Sequence, residues 1–430
     1  MRTARFIIAA ATAALTITAA SSAQFDFAPT ASITAGSQPG GVGIGDLDGD
    51  GDRDLATGIR LPDRIQVLIN DGAGGFTAGP VVVVPPQSQP EEVLIGDLDG
   101  DGDEDLAVIL RALAVVRVYL NQGGLTFVEG SSASIGGNGR GMDMADMDGD
   151  GDLDLVVANR GSNTATVLRN NGAATFESIT LASAGEPRAA TFGDLDGDGD
   201  LDVAVTNNDA FNVRLFRNDR GTFTTWHVLS TAPNQAEGVT IADLDNDGDM
   251  DLATGAEDDN VGVNNAVTFM NNGGGASFAG PFAFNTSGVG TSGVVATDMD
   301  CDGLLDLALA NQDSNTISLL RNLGGGTFGP AMLRPCGANP ETLKMGDLDG
   351  DGLMDLATAN KNAGTISVLV NNTCEVGGPT PDLDGNGIVD AADLAMLLSA
   401  WGPCPGCPAD LDGDGTVGPG DLAILLGAWG

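Results

Sequence analysis

Gly45-Asp46-Leu47-Asp48-Gly49-Asp50-Gly51-Asp52-Arg53-Asp54-Leu55-Ala56-Thr57 alternates carboxylates with glycine and leucine, then turns apolar. Six further stretches open the same way at Asp97, Asp146, Asp194, Asp243, Asp298 and Asp347, with spacings of 51, 49, 48, 49, 55 and 49 residues. A fixed period of this length means that one supersecondary unit is repeated. The 430-residue chain exceeds the size at which a single core keeps growing, which fits a repeat architecture.

Within each unit the features keep one order. A short apolar run enters the Asp loop (Val42 and Ile44; Val93 and Ile95; Leu343 and Met345), and a second leaves it (Leu55-Ala56-Thr57; Leu155-Val156-Val157). A third run ends in Asn, as in Ile65 to Asn70, Val115 to Asn121, Ile317 to Asn322 and Ile366 to Asn371. After a Gly/Asn turn, Phe76, Phe127, Phe176, Phe223, Phe278 and Phe328 open a fourth run. Short β-branched runs between Gly and Asn turns are strands and hairpins. Four strands per repeat, seven times over, predict an all-β seven-bladed β-propeller spanning residues 24–374.

The last loop Asp precedes the strand-ending Asn by 16 residues in six repeats (Asp54 to Asn70, Asp355 to Asn371) and by 20 in the fifth (Asp251 to Asn271). The extra residues fall in the polar hairpin around Asp258 to Asn265, where insertion costs little closure entropy. The seventh repeat stops after its third strand, at Asn371-Asn372-Thr373-Cys374. Phe27-Ala28-Pro29 precedes Asp46 by 19 residues, just as Phe328-Gly329-Pro330 precedes Asp347. The first strand is therefore expected to complete the last blade and close the ring, which removes exposed edges.

The loops carry the chemistry. Offsets 1, 3, 5 and 9 are Asp46, Asp48, Asp50 and Asp54 in the first repeat, Asp97, Asp99, Asp101 and Asp105 in the second, and Asp146, Asp148, Asp150 and Asp154 in the third. They continue as Asp194, Asp196, Asp198 and Asp202; Asp243, Asp245, Asp247 and Asp251; Asp298, Asp300, Asp302 and Asp306; and Asp347, Asp349, Asp351 and Asp355. Carboxylates at alternating positions, with Gly at offset 6 to permit the turn and a backbone carbonyl at offset 7, suit Ca2+. Offset 7 is Asp in five repeats but Leu304 and Leu353 in the others, so no side chain is required there. These are not EF-hands, because offset 12 is Thr57, Val108, Val157, Val205, Thr254, Leu309 or Thr358 inside a strand rather than a bidentate carboxylate before a helix. Two carboxylates ~5 Å apart repel by roughly 3 kcal/mol at an effective dielectric near 20, so a cation should stabilise each loop.

From Phe27 to Thr373 this pattern resembles the FG-GAP or VCBS repeats of integrin-α-like propellers. The resemblance implies calcium in the loop between the first and second strands of each blade, and roles in adhesion or in binding a protein or glycan ligand.

The formal charge of −42 would oppose a compact fold were it diffuse, yet 42 of the 60 acidic residues sit in nine clusters. Nucleic acid and anionic membranes are excluded as partners by the absence of a basic patch in the sequence. Arg2 and Arg5, the apolar run Phe6 to Ala20, and small residues at Ser21 and Ala23 read as a secretory signal over residues 1–23, cleaved before Gln24. The run is short for a bilayer span, so a secreted or cell-surface protein with no membrane span after signal removal is expected.

After a linker at 375–381, two segments repeat with a period of 28, Asp382 to Gly402 and Asp410 to Gly430. Here offset 12 is acidic and an apolar helical run follows, Leu394 to Trp401 and Leu422 to Trp429. The ligands would be Asp382, Asp384, Asn386, Asp390 and Asp393 in the first copy and Asp410, Asp412, Asp414 and Asp421 in the second, with Gly418 leaving a place for water. Nine Ca2+ sites in all are expected. Residues 382–430 look like a type I dockerin, which implies docking onto a cohesin-like or cell-surface protein. Where familiar dockerins carry hydroxyl residues, this chain has Ala391-Ala392 and Pro419-Gly420.

Cys301, Cys336, Cys374, Cys404 and Cys407 are odd in number; Cys404 and Cys407 could link, and the connectivity stays open. His227 follows Trp226 in a strand-like run and reads as a packed residue, and Tyr119 lies in a third strand. No nucleophile elbow, triad or zinc motif appears. Three functions remain: a noncatalytic binding or adhesion propeller delivered by its tail, a polysaccharide-active enzyme, lyase or hydrolase, of a glycan-degrading assembly, and a purely structural envelope protein.

Overall fold

The computed structural model describes residues 25–257, 264–373, 383, 389, 391–404, 409, 411, 416–427 and 429. The signal segment, the inserted hairpin at 258–263 and the linker lie outside them. So do Cys374, Cys407 and seven of the expected tail ligands, Asp382, Asp384, Asn386, Asp390, Asp410, Asp412 and Asp414.

The repeats form seven four-stranded antiparallel sheets in which neighbours along the chain are neighbours in the sheet. Blade 1, for example, comprises Ser37–Gly45, Asp54–Leu61, Asp63–Asn70 and Phe76–Val83. Second strands are buried on both faces, every residue of Asp105–Leu110 and Asp306–Asn311 among them, which explains their unbroken apolar sequence. The outer fourth strands, such as Phe127–Ser134, are largely exposed and read as polar.

The ring closes as expected. Lys344–Gly346, Asp355–Asn360 and Thr365–Leu369 form one sheet with Ala31–Thr34 from the other end of the chain. Ala31 lies opposite Val368, Thr34 opposite Thr365, and Phe27 bridges Asn371. Hydrophobic burial is mostly between blades: Val42, Leu55, Ile59 and Leu68 of blade 1 pack on Leu348, Ala357, Ile366 and Val368 of blade 7. Each blade thus depends on its neighbours for a core, and closure removes the two unpaired faces an open array would expose.

Two details depart from the sequence reading. Met345 of the apolar run that enters the last loop is exposed, although Leu343 two residues earlier is buried, and only Lys344–Gly346 of that strand is paired. In blade 6 Phe328 makes an isolated bridge with Asn322, and the strand proper is Met332–Pro335. Pro330 has no N–H to continue the ladder there.

The first strands line the axis, and six of them carry a register shift at the same place, between Pro39 and Val42, Pro90 and Val93, Gly139 and Met142, Pro187 and Ala190, Ala236 and Val239, and Thr291 and Val294. A bulge re-aims side chains, and the displaced residues include Glu91, Glu92, Arg140, Arg188 and Glu237, all of which line an axial cavity of ≈ 280 Å³. Small residues are required between them: a Cβ on Gly40 would lie 2.0 Å from the Glu91 carbonyl oxygen.

In the tail, α1 (Ala391–Ser399) and α2 (Pro419–Gly427) follow the expected loops, and Gly402–Pro403 pairs with Thr416–Val417. Leu397, Ala409, Leu411, Val417 and Leu425 form a small core of their own.

Candidate functional site

Each Asp loop folds around its own carboxylates. In blade 1 the Gly49 and Gly51 amides donate to Asp46 Oδ1 and Oδ2 at 2.8 and 3.0 Å, the Asp50 amide donates to Asp48 Oδ1 at 3.2 Å, and the Asp52 amide donates to Asp50 Oδ1 at 3.0 Å. Gly49 and Gly51 have φ of 79° and 99°, the left-handed region that glycine enters without strain. Offset 4 is therefore as constrained as offset 6, although Asn246 and Cys301 fill it in blades 5 and 6, at φ of 63° and 56°.

The carboxylates at offset 9 differ from the rest. Asp54 is buried, accepting from the Leu47 amide through Oδ2 at 3.1 Å and the Asn70 amide through Oδ1 at 2.8 Å. Asp105, Asp154, Asp202, Asp251, Asp306 and Asp355 repeat this arrangement. Burial outweighs the two amide donors and pushes Asp54, Asp154 and Asp251 up to about 6, and Asp105, Asp202, Asp306 and Asp355 up to about 7. The expected ligand is thus also the staple between loop and third strand.

The remaining carboxylates converge. Ligand-type oxygens of Asp46, Asp48 and Asp50 lie within 4.8 Å of one another, as do those of Asp97, Asp99 and Asp101. In blades 3, 4 and 5 the converging sets are Asp146, Asp148 and Asp154; Asp194, Asp196 and Asp202; and Asp243, Asp245 and Asp251, so one offset-9 oxygen also faces the centre. Asp148 Oδ1, Asp245 Oδ1 and Asp300 Oδ1 are buried without a hydrogen-bond partner. Burial first, with neighbouring carboxylates adding to it, raises Asp48, Asp99, Asp245 and Asp349 above the usual range. All-oxygen donors, mutual repulsion and orphaned buried oxygens fit a hard divalent cation.

The strand-ending Asn, used above only to mark register, joins one blade to the next. Asn121 Nδ2 donates to the Leu47 carbonyl of the preceding blade's loop at 2.8 Å. Asn170 reaches Leu98, Asn218 Met147, Asn271 Leu195, Asn322 Leu244 and Asn371 Met299. Asn70 donates to Leu348 at 2.8 Å and completes the circle across the chain termini. Loop conformation and ring closure are therefore one hydrogen-bonded system.

The sequence profile of the FG-GAP-like repeat matches residues 58–108, 111–157, 146–205, 194–254 and 298–358, more than half of the chain. The chain belongs to the FG-GAP-like repeat family. No curated protein matches it significantly. Among solved structures, the BBS1N protein in complex with ARL6DN is 15% identical over 80% of this chain and 96% of its own, with a TM-score of 0.54. A Lactobacillus plantarum protein is 14% identical over 70% and 86%, also at 0.54. An Agrocybe aegerita lectin described by its recognition of non-reducing terminal N-acetylglucosamine is 20% identical over 77% and 87%, at 0.48.

Three of the FG-GAP-like loops contain an internal cation that the spacing did not reveal. Arg169, Arg217 and Arg321, each directly before the strand-ending Asn, reach Asp148 at 2.5 Å, Asp196 at 2.7 Å and Asp300. Arg217 and Arg321 also contact Asp198 and Asp302 at 3.2 and 3.0 Å. Blades 1, 2, 5 and 7 have Ile69, Leu120, Met270 and Val370 in that place.

Of the tail ligands, Asp393 and Asp421 are described and buried in the first turns of α1 and α2, and the Gly418 amide donates to Asp421 Oδ2 at 2.5 Å. His227 Nε2 contacts the Gly275 carbonyl at 3.0 Å and its ring packs on Trp226 and Phe278, consistent with a packed residue. Tyr119 is buried. Cys301 and Cys404 are disulfide-bonded and Cys336 is a free thiol.

Proposed function

We propose that this FG-GAP-like propeller is an exported, calcium-loaded binding protein that recognises its ligand without chemistry and is tethered through a dockerin-like tail. The observation that carries the calcium assignment is the convergence of carboxylates around buried, unpartnered oxygens of Asp148 and Asp245. The offset-1, -3 and -5 carboxylates, the offset-7 carbonyl and one offset-9 oxygen would hold the ion. When bound, Ca2+ supplies charge neutralisation. The chain's own groups fix the loop: glycine amides orient the first Asp, and the offset-9 Asp ties the loop to the third strand.

The tail is read as a docking module. Met396, Leu398 and Trp401 are exposed, and 28 residues on so are Ile424, Leu426 and Trp429, so the same exposed apolar positions recur in both copies of the repeat. Calcium at Asp393 and Asp421 would hold the two helices in place for a cohesin-type partner.

The test uses the full secreted chain, immobilised in calcium and presented with a cohesin and with neutral and acidic polysaccharides. Retention that is lost in EDTA supports the reading, with cohesin retention also lost in Asp393→Ala/Asp421→Ala. New reducing or unsaturated ends would replace binding by catalysis, and indifference to every probe in calcium would count against the proposal.

A further inference from the structure

At the end of the strands remote from the loops, one sector of the axis holds more positive than negative charge. Arg60, Arg111 and Lys361 each stand six residues after the last loop Asp of their blade, at or just past the end of the second strand. Arg140 is one of the bulged residues of the blade 3 first strand. Together with Gln38, Leu61 and Gln89 these four cations line a cavity of ≈ 380 Å³ that has no carboxylate in its wall.

Two carboxylates lie beneath it. Glu91 meets Arg60 at 2.7 Å, Arg140 at 2.8 Å and Arg111 at 3.4 Å, while Glu341 meets Arg60 at 3.1 Å and also contacts Lys361. Among the described residues this ion-paired cluster sets four cations against two carboxylates, a charge of +2, with Asp63 next to it and accepting from the Gln89 amide at 3.1 Å. The remaining axial charges form a separate, more acidic sector: Glu186 meets Arg160 and Arg188, Glu237 meets Arg188, and Glu92 meets Lys344, with Asp143 beside Glu92 and Lys344 and Glu257 beside Glu237.

The surplus is also desolvated. The Arg60 side chain is 8% exposed, and its Nε, like that of Arg140, is buried without an acceptor. Burial lowers Arg111, and the neighbouring Arg140 and Arg60 add to that effect while Glu91 opposes it. Buried cations held together by too few carboxylates are unfavourable unless an anion joins them, and guanidinium forks match planar or tetrahedral oxyanions.

We infer that this pocket is an anion-binding site for a small oxyanion group, a carboxylate or sulfate such as acidic saccharides carry. The site deepens the binding reading of the propeller, on which its biological use rests, and places recognition at the opposite end of the ring from the calcium loops.

The test is calorimetric titration of the full chain in calcium at constant ionic strength, with glucuronate, inorganic sulfate and glucose as probes. The melting temperature of the same sample reports calcium loading separately, so failure here is distinguishable from failure of the calcium assignment. Binding by sulfate and glucuronate alike assigns recognition to the oxyanion itself, and preference for glucuronate assigns it to an acidic sugar; both support the site. Arg111→Gln/Lys361→Gln, which removes the two most exposed cations of the cluster, 25% and 28% exposed, and relieves repulsion, should keep or raise the melting temperature and weaken anion binding about tenfold or more. Glucose binding as well as the anions, no anion binding in the parent, or undiminished binding by the folded variant would overturn the inference.

Discussion

At the loop end of blade 2 the carboxylates of Asp97, Asp99 and Asp101 converge on one another, whereas at the axial end of the same blade the single carboxylate of Glu91 gathers three guanidinium groups. The same strands connect the two ends. The loop end collects negative charge, and among the described residues a cation of the chain's own sits on the offset-3 Asp in three blades, through Arg169, Arg217 and Arg321. The axial end draws its cations from several blades and has a surplus in one sector. One end should respond to a divalent cation and the other to an anion, with little cross-talk.

The largest expected effect breaks the loop end alone. Excess EDTA should lower the melting temperature by roughly 10 °C or more, since each site filled well above its dissociation constant adds stability by mass action. A melting curve unchanged by chelation would remove the distinction between the two ends.

Next in size is the latch that carries loop conformation around the ring. Asn322 is buried and donates to the Leu244 and Leu305 carbonyls at 2.8 and 2.9 Å. Asn322→Leu strands both acceptors and should cost about 2–3 kcal/mol in urea unfolding. A loss below about 0.5 kcal/mol would show that the blades hold together without it.

The remaining effect belongs to the axial end and appears only at higher pH. Burial pushes Glu237 up to about 7 even with Arg188 opposing. Its folded value exceeds its unfolded value of 4.5, so the folded state keeps a proton that the unfolded chain has released, and stability falls as pH rises from about 4.5 to about 7. Glu237→Gln should remove that slope and gain up to about 3 kcal/mol at pH 8 relative to the parent, with no gain near pH 4. A gain of equal size at both pH values would assign the effect to packing instead.

The division between legible and illegible features follows sequence distance. Blade number, the loops and closure by Phe27 to Thr34 could be read because each lies within one period or is the missing part of one. The role of the strand-ending Asn could not, because the acceptor of Asn121 is Leu47, 74 residues away in another blade. Glu91 is likewise uninformative alone, since its partners Arg60, Arg111 and Arg140 come from three repeats. Arg before Asn in three repeats was a visible signal, but periodicity draws attention to what recurs everywhere. Met345 is the converse case, a residue of a recurring apolar run that is nevertheless exposed.

Counting calcium by equilibrium dialysis of the chelator-stripped, refilled protein bears most directly on the loop assignment. Nine ions per chain are expected, falling to seven in Asp393→Ala/Asp421→Ala, because nine acidic clusters were read from the sequence and two of them are in the tail. No bound calcium at millimolar concentration, or a number unchanged when Asp46, Asp48 and Asp50 are replaced by Asn, would contradict it.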